Sequence, residues 1–293
     1  MKCCYTVLLF LCFGMLSSAD AQTLPDSSKT KNHSYWLGSV DYLSNAVYNG
    51  RKDSVAIPYL SATFGYYHKS GLYLSGSASY LTSDHVFDLF SIDAGYNWEI
   101  SDQFSASFNA DKPFYNKSST NIAAGIKASL DAALTYDTDI ITAEATFSTV
   151  FSKKTDLLLT GALSHLFTAE GKDDDTYWGI EPTLTANLGT QHFLDEYKAR
   201  NNKRKTISAT SSTVSDGGKF QLLDYEFSLP VSYNSRCWSI TFSPVYAIPK
   251  NPVTSTTILT VTSAAKTRTQ ITTDTEQLKN VFYAQLTFDF KFR

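Results

Sequence analysis

The sequence predicts an all-β protein, a transmembrane antiparallel up-and-down β-barrel of about twelve strands. From Tyr35 onward, apolar and polar residues alternate with a period of two, which is typical of strands whose two faces differ. After residue 21 no apolar run approaches the roughly 18 residues of a membrane helix, and the mean hydropathy is −0.19. An aromatic content of 14% also argues against a disordered chain.

Residues 1–21 have the pattern of a secretory signal peptide. Lys2 precedes an apolar stretch over residues 5–16, and an Ala-x-Ala sequence ends at Ala21. We therefore expect cleavage after Ala21. The alternative is a membrane anchor, but the apolar stretch is shorter than the roughly 20 residues that a spanning helix needs.

Residues 22–34 are polar, without periodicity, and we interpret them as a flexible lead-in to the barrel. Removing the signal peptide leaves Cys237 as the single cysteine of the mature chain. A disulfide framework within the chain and a multi-cysteine metal site are therefore excluded.

The last segment shows the alternation best, with one apolar face opposite one polar face. The apolar residues are Phe282, Ala284, Leu286, Phe288, Phe290 and Phe292, and the polar face carries Gln285, Thr287, Asp289 and Lys291. A soluble β-protein is the alternative, because its strands can alternate in the same way. Two features favour a membrane barrel: segments of roughly 10 to 16 residues, longer than soluble strands, and aromatics at segment ends. These aromatics are Trp36, Tyr48, Tyr80, Trp98, Tyr136, Trp178 and Trp238.

The alternating segments number twelve, although ten or fourteen strands stay possible. Short connections should lie at one end of the barrel and long ones at the other, with long outer loops near 191–218 and 249–279. Two connections fit this rule poorly, since 152–154 is short for an outer loop and 169–176 is long for a turn. The segments are approximately 35–48, 55–68, 71–82, 86–100, 103–111, 121–136, 139–151, 155–168, 177–190, 219–234, 236–248 and 280–292.

Over residues 35–293 this pattern resembles the bacterial outer-membrane β-barrel superfamily, in a porin-like form, and it identifies no subfamily. The resemblance rests on the signal ending at Ala21, the amphipathic segments and the aromatic terminal strand, although Arg293 follows the terminal Phe292. It implies a Gram-negative outer membrane after signal cleavage, with residues 22–34 in the periplasm. It also implies contacts with outer-membrane lipid, lipopolysaccharide and the barrel-insertion machinery, and no nucleic-acid partner.

Motifs for catalysis or metal binding are not found in the sequence. The five histidines lack ligand spacing, and no Gly-x-Ser-x-Gly sequence occurs. Asp173-Asp174-Asp175 lacks the spaced ligands of a calcium loop and is interpreted as a solvated acidic turn. We expect no cofactor, no metal and no enzymatic activity, with a membrane-embedded hydrolase as an alternative because barrels can assemble sites from distant strands.

The polar faces predict an acidic lumen, in which Lys127 and Lys291 are the expected bases. Such an interior favours cations or neutral polar solutes if a pathway exists; alternatively, some of these acids lie in turns or pair with loop cations. The acids placed inside are Asp41, Asp93, Glu99, Asp111, Asp131, Glu144, Glu181, Asp224, Glu226 and Asp289.

The segment 191–206 is basic, and we hypothesise that it folds inward against the acidic wall as a constriction or plug. The competing interpretation is a solvated outer loop that contacts lipopolysaccharide phosphates. Its cations are Lys198, Arg200, Lys203, Arg204 and Lys205.

A barrel of twelve strands lies between small filled barrels and open porins, so a narrow channel for small polar or cationic solutes is the predicted function. A non-conducting structural or secretion and assembly barrel is the first alternative, and a hydrolase is the second. The sequence leaves the solute and the oligomeric state open.

Overall fold

A computed structural model describes residues 33–138, 140–173, 175–195, 197, 210–262 and 267–292. In this part of the chain, no helix is both long and apolar enough to cross a membrane. The regular structure consists of β1 (Tyr35–Leu43), β2 (Val47–Tyr48), β3 (Arg51–Lys52), β4 (Tyr59–Tyr67), β5 (Leu72–Leu81), β6 (Val86–Glu99), β7 (Phe104–Tyr115), β8 (Ala128–Asp137), β9 (Thr142–Phe151), β10 (Thr155–Ser164), β11 (Phe167–Glu170), β12 (Tyr177–Ile180), β13 (Thr183–Gly189), β14 (Thr210–Ser215), β15 (Gln221–Ser228), β16 (Val231–Asn234), β17 (Trp238–Pro249), β18 (Thr254–Thr262), β19 (Thr267–Thr275) and β20 (Val281–Phe292).

The main sheet closes on itself as a barrel of twelve antiparallel strands, which confirms the predicted fold class and strand number. β1 pairs with β4 on one side and with β20 on the other, and β20 also pairs with β17. The ninth barrel strand consists of β12 and β13, and the tenth consists of β15 and β16. β11 continues β10 beyond a short break.

Two prolines explain why the ninth and tenth barrel strands are each divided. Pro182 lies between β12 and β13, and Pro230 lies between β15 and β16. Proline has no amide N–H and cannot donate to the ladder, so regular pairing is interrupted at both positions. The Glu181 amide donates to the Pro230 carbonyl at 2.9 Å, which keeps the two strands joined across the interruption.

The connections divide the barrel into a turn end and a loop end. The turn end carries the short connections 68–71, 100–103, 138–141, 171–176 and 235–237. The loop end carries 44–58, 82–85, 116–127, 152–154, 190–220 and 250–280. The structure explains the two connections that departed from the predicted alternation of short turns and long loops. Connection 152–154 is a short loop at the loop end. The residues after 166 form β11 and β12, which extend the sheet before a turn at 171–176.

Strands inside the loops were not predicted. β2 and β3 pair as a small hairpin within 44–58. β14, β18 and β19 form a separate three-stranded antiparallel sheet from the connections 190–220 and 250–280.

The outer face of the barrel is apolar, and aromatic side chains are concentrated towards the turn end. The four tryptophans, Trp36, Trp98, Trp178 and Trp238, are all exposed there. Contacting rings run along neighbouring strands from Trp178 through Tyr233 and Trp238 to Phe288, at centroid distances of 4.9, 5.5 and 5.8 Å. An apolar outer band with an aromatic girdle is what a lipid bilayer selects.

The interior changes along the barrel axis. Inward positions in the half nearer the turn end are mostly Ser, Thr, Asp, Glu and Tyr, whereas those nearer the loop end include Leu43, Leu89, Val150, Leu223 and Val281, all buried. These apolar side chains pack against residues of the loops. The loop half of the barrel is therefore a packed core, and the turn half is the polar part of the lumen.

Candidate functional site in the barrel lumen

Three of the predicted lumen acids lie side by side on neighbouring strands of the inner wall. Asp93 on β6 and Asp111 on β7 are direct cross-strand partners. Asp131 on β8 pairs with Asn109, which lies two residues before Asp111 on the same inward face of β7. All three carboxylates are half-buried, and the strand positions between them carry exposed apolar residues. Because like charges on adjacent strands repel, Asp93 and Asp111 act as a coupled pair of acids, and with Asp131 they form an acidic patch inside the barrel.

Four further acids on the inner wall are hydrogen-bonded to hydroxyl groups. A hydroxyl satisfies a carboxylate oxygen without supplying a positive charge. The donors are Ser239 to Asp289 at 3.2 Å, Thr146 to Glu144 at 3.1 Å, Ser164 to Glu181 at 2.8 Å and Tyr283 to Glu226 at 3.4 Å.

The remaining three predicted acids differ from these seven in exposure. Asp41 is buried, and its carboxylate accepts hydrogen bonds from Thr287 at 2.6 Å and from Gln285 at 3.2 Å. Asp224 is fully buried beneath the loops. Glu99 is exposed at the last residue of β6, beside the turn end.

Positive charge on the inner wall is sparse. Among the barrel strands that the structure describes, Lys291 is the single inward base, and its ammonium lies 4.1 Å from the centre of the Tyr35 ring. Lys127 was expected on the wall but precedes β8 and is exposed at the rim, where its carbonyl accepts a hydrogen bond from Lys112.

A ladder of tyrosines that the sequence analysis missed lines the polar part of the lumen. Tyr35, Tyr67 and Tyr73 stack across β1, β4 and β5, with centroid distances of 5.1 and 5.3 Å. The Tyr73 hydroxyl donates to Asn109 at 3.0 Å, and its ring occupies the space that a side chain at Gly95 would need. The three tyrosines are adjacent only because of the pairing register of β1, β4 and β5. Predicting the ladder from the sequence would therefore have required that register.

The hairpin of β2 and β3 folds into the loop half of the lumen. Its turn residues Asn49 and Gly50 have φ of 49° and 71°, as a two-residue type I′ hairpin requires. Val47 packs against the apolar cluster lined by β1, β4, β5, β6, β17 and β20, and Tyr48 packs against the cluster of β9, β10 and β15. Burial raises the pKa of Tyr48, with a smaller contribution from the Asp156 carboxylate, so its hydroxyl stays protonated.

Arg51 holds this hairpin to the loops around it. The Arg51 side chain is only 2% exposed. Its Nε lies 3.1 and 3.2 Å from the two carboxylate oxygens of Glu276. The terminal nitrogens donate to four backbone carbonyls, those of Asn49, Leu223, Lys250 and Asn251, at 3.0 to 3.4 Å. Arg51 therefore joins the connections 44–58 and 250–280 to the barrel wall.

Two other loops are anchored by acids of the inner wall. Asp156 accepts hydrogen bonds from the amides of His192 and Phe193 at 2.7 and 2.8 Å, and it contacts the His192 ring at 3.0 Å. The same carboxylate accepts a 2.6 Å bond from the Thr190 hydroxyl. Asp88 similarly accepts from Ser119 at 2.7 Å in the connection 116–127.

The start of the predicted plug segment does fold inward, but through apolar contacts. Phe193 and Leu194 are each 2% exposed and pack with Ile122 and Val253, and the Phe193 ring meets Tyr48 edge-on at 4.8 Å. The five basic residues proposed to form the plug, Lys198, Arg200, Lys203, Arg204 and Lys205, lie outside the described residues.

The arrangement of His192 and Asp156 does not match a general-base pair. His192 and Asp156 are 3.0 Å apart, but the Asp156 carboxylate is already engaged by backbone amides, and Nε2 of His192 faces Gly218. Within the described residues, no group of three or more His, Cys, Asp or Glu side chains has an arrangement that could hold a metal.

No family model and no curated protein matches this sequence. Among solved structures, the porin KdgM matches 89% of this chain and 99% of its own, at 10% identity and a TM-score of 0.44. An outer-membrane channel from Pseudomonas putida F1 matches 94% of this chain and 100% of its own, at 11% identity and a TM-score of 0.36. The outer-membrane channel DcaP of Acinetobacter baumannii matches 89% and 96%, at 11% identity and a TM-score of 0.33.

The class of the protein follows from its own architecture. A closed barrel with an even strand number, an apolar outer band, an aromatic girdle, and short turns opposite long loops is an outer-membrane β-barrel. The three solved structures named above are a porin and two outer-membrane channels. In such barrels the turn end faces the periplasm and the loop end faces the exterior.

Proposed function

We propose that this protein is a narrow channel that favours small cations and neutral polar solutes over anions. The observation that carries the proposal is the charge imbalance of the inner wall. Seven half-buried acids face the polar lumen, and in the described barrel strands one base, Lys291, faces it with them. In a confined pore, fixed negative charge raises the local concentration of cations and repels anions.

The hydrogen bonds of the half-buried acids suit this role. Asp289, Glu144 and Glu181 accept from hydroxyl groups, which supply no positive charge and leave each acid able to attract a cation when it is ionised. The tyrosine ladder adds hydroxyl groups and ring edges beside the acids, which suits neutral polar solutes as well.

Reversal potentials in planar bilayers under a salt gradient test the proposal. The triple variant Asp93→Asn, Asp111→Asn, Asp131→Asn should lower the cation-to-anion permeability ratio severalfold, because three adjacent wall charges are removed. A matched triple variant, Asp84→Asn, Asp102→Asn, Asp175→Asn, removes the same charge from exposed connections.

The control should leave selectivity near the wild-type value, since exposed charges are screened within about 10 Å at 0.1 M salt. Anion preference in the wild type, or equal selectivity in all three proteins, would contradict the proposal.

The packed loop half of the barrel favours a second function, a non-conducting structural or assembly barrel. The two functions are separated by replacing residues 47–56, the hairpin that crosses the lumen, with Asn-Gly. A folded replacement variant that conducts no current favours the structural barrel, whereas cation-selective current supports the channel.

A further inference from the structure

We propose that the hairpin of β2 and β3 is the gate of the channel, closing the lumen when docked and opening it when displaced outward. The inference rests on the proposed channel function. It assigns to residues 47–52 a regulatory role that is separate from the acidic wall that sets selectivity.

The docked hairpin reaches opposite sides of the barrel wall. Val47 contacts the cluster that contains Leu43, Leu81 and Val281, and the next residue, Tyr48, contacts the cluster of Val150, Leu158 and Leu223. Because two successive residues pack against both clusters, the hairpin spans this part of the lumen. In the proposed gate, the docked hairpin is the obstruction, and conduction requires that it move.

The hairpin can leave without disrupting the barrel because the wall is complete beneath it. β1 and β4 stay paired up to Leu43 and Tyr59. Above that pair, the Ala46 amide donates to the Ile57 carbonyl at 2.9 Å, and the Ile57 amide donates to the Asn45 side chain at 2.8 Å. This closed base is the point about which residues 47–56 would swing.

A polar latch holds the hairpin in place. Arg51 engages Glu276 and four carbonyls. Glu276 is itself fixed by Val253, because the Glu276 amide donates to the Val253 carbonyl and the Val253 amide donates to the Glu276 carboxylate. Removing the guanidinium would leave a carboxylate and several carbonyls without their donor, which strongly disfavours the docked state. Polar latches of this kind separate more readily than apolar packing because water can satisfy both halves once they part.

The turn of the hairpin lies close to Asp224 on β15. Asp224 is fully buried under the turn, and the Arg51 guanidinium attracts its carboxylate. A Cβ at Gly50 would lie 2.8 Å from Oδ2 of Asp224, so only glycine lets the turn approach this closely. The docked hairpin is thus held by the Arg51 latch and packs directly against Asp224.

Single-channel recording of the refolded full-length mature chain tests the gate, with folding checked by circular dichroism. Arg51→Met should raise the ratio of open to closed time on the order of 100-fold, because the latch is lost. Lys52→Met is the matched control, since Lys52 is the next residue, carries the same charge and is exposed. It should leave gating unchanged.

A second variant removes the hairpin itself. Replacing residues 47–56 with Asn-Gly should give a channel that stays open and has a larger conductance, with the same cation preference.

The outcomes separate the two proposals. If the replacement variant conducts with wild-type conductance and gating, the hairpin is not the gate although the channel stands. Equal gating in Arg51→Met and Lys52→Met would also overturn the gate. If wild type and replacement variant are folded and both silent, the gate and the channel fail together.

Discussion

The anchoring of the connection 190–220 by Asp156 gives a quantitative prediction. Asp156→Ala removes a buried carboxylate that accepts two amide bonds, from His192 and Phe193, one hydroxyl bond, from Thr190, and a ring contact. Hydrogen bonds to a charged acceptor contribute about 1.5 to 3 kcal/mol each. They are not additive, because His192 is partly exposed and water can replace some of them.

We therefore take about 3 to 5 kcal/mol as the cost of breaking this buried charged site. At about 1.4 kcal/mol for each factor of ten, the docked segment should open at least on the order of 100-fold more often. The assay is amide hydrogen exchange of residues 190–195 in detergent micelles, followed by mass spectrometry. Protection at the His192 and Phe193 amides should fall by that factor.

Thr190→Val provides a graded comparison, because it removes one donor to Asp156, together with the acceptor of the Leu157 amide, and keeps the carboxylate with both amides. Its effect should be about 1 kcal/mol, or severalfold in exchange. Unchanged exchange at the two amides in Asp156→Ala would refute the reasoning, since it would mean that apolar packing alone holds the segment.

Further predictions concern packing and orientation. Gly95→Ala should destabilise the barrel by about 1 to 3 kcal/mol in urea unfolding, because the new Cβ would lie 2.5 Å from the Tyr73 ring. Gly161→Ala has nothing within 4 Å of the new Cβ and should be neutral, and equal effects would contradict the packing argument. For orientation, Val55→Cys at the loop end should react with an impermeant maleimide on intact cells, and Lys69→Cys at the turn end should not. The opposite labelling pattern would show that the turn end, and not the loop end, faces the exterior.

The barrel wall was predictable because each strand carries its own signal. Strands such as β20 alternate between apolar and polar residues, because successive side chains face lipid on the outside and polar groups on the inside. The strand number followed from counting such segments, and the poor fit at 169–176 came from β11 and β12, which extend the sheet beyond the wall.

The loops were predicted less well, because their structure depends on distant partners. The segment 121–136 was interpreted as one strand, yet β8 begins at Ala128, and Ile122 instead packs with Phe193 and Val253. Similarly, the first predicted strand, 35–48, ends at Leu43, where the chain turns inward. The Asn49-Gly50 sequence is the local signal that would have revealed the hairpin.

The sequence by itself determined the membrane-facing architecture, since alternation with a period of two and aromatics at strand ends are local consequences of lipid on one face and polar groups on the other. Only the tertiary structure decided how the interior is used. Arg51 and Glu276 are far apart in the chain, and only barrel closure brings the loops together over Asp156 and Asp224. The alternate residues that face inward on each strand therefore form an acidic wall near the turn end and a packed core near the loop end.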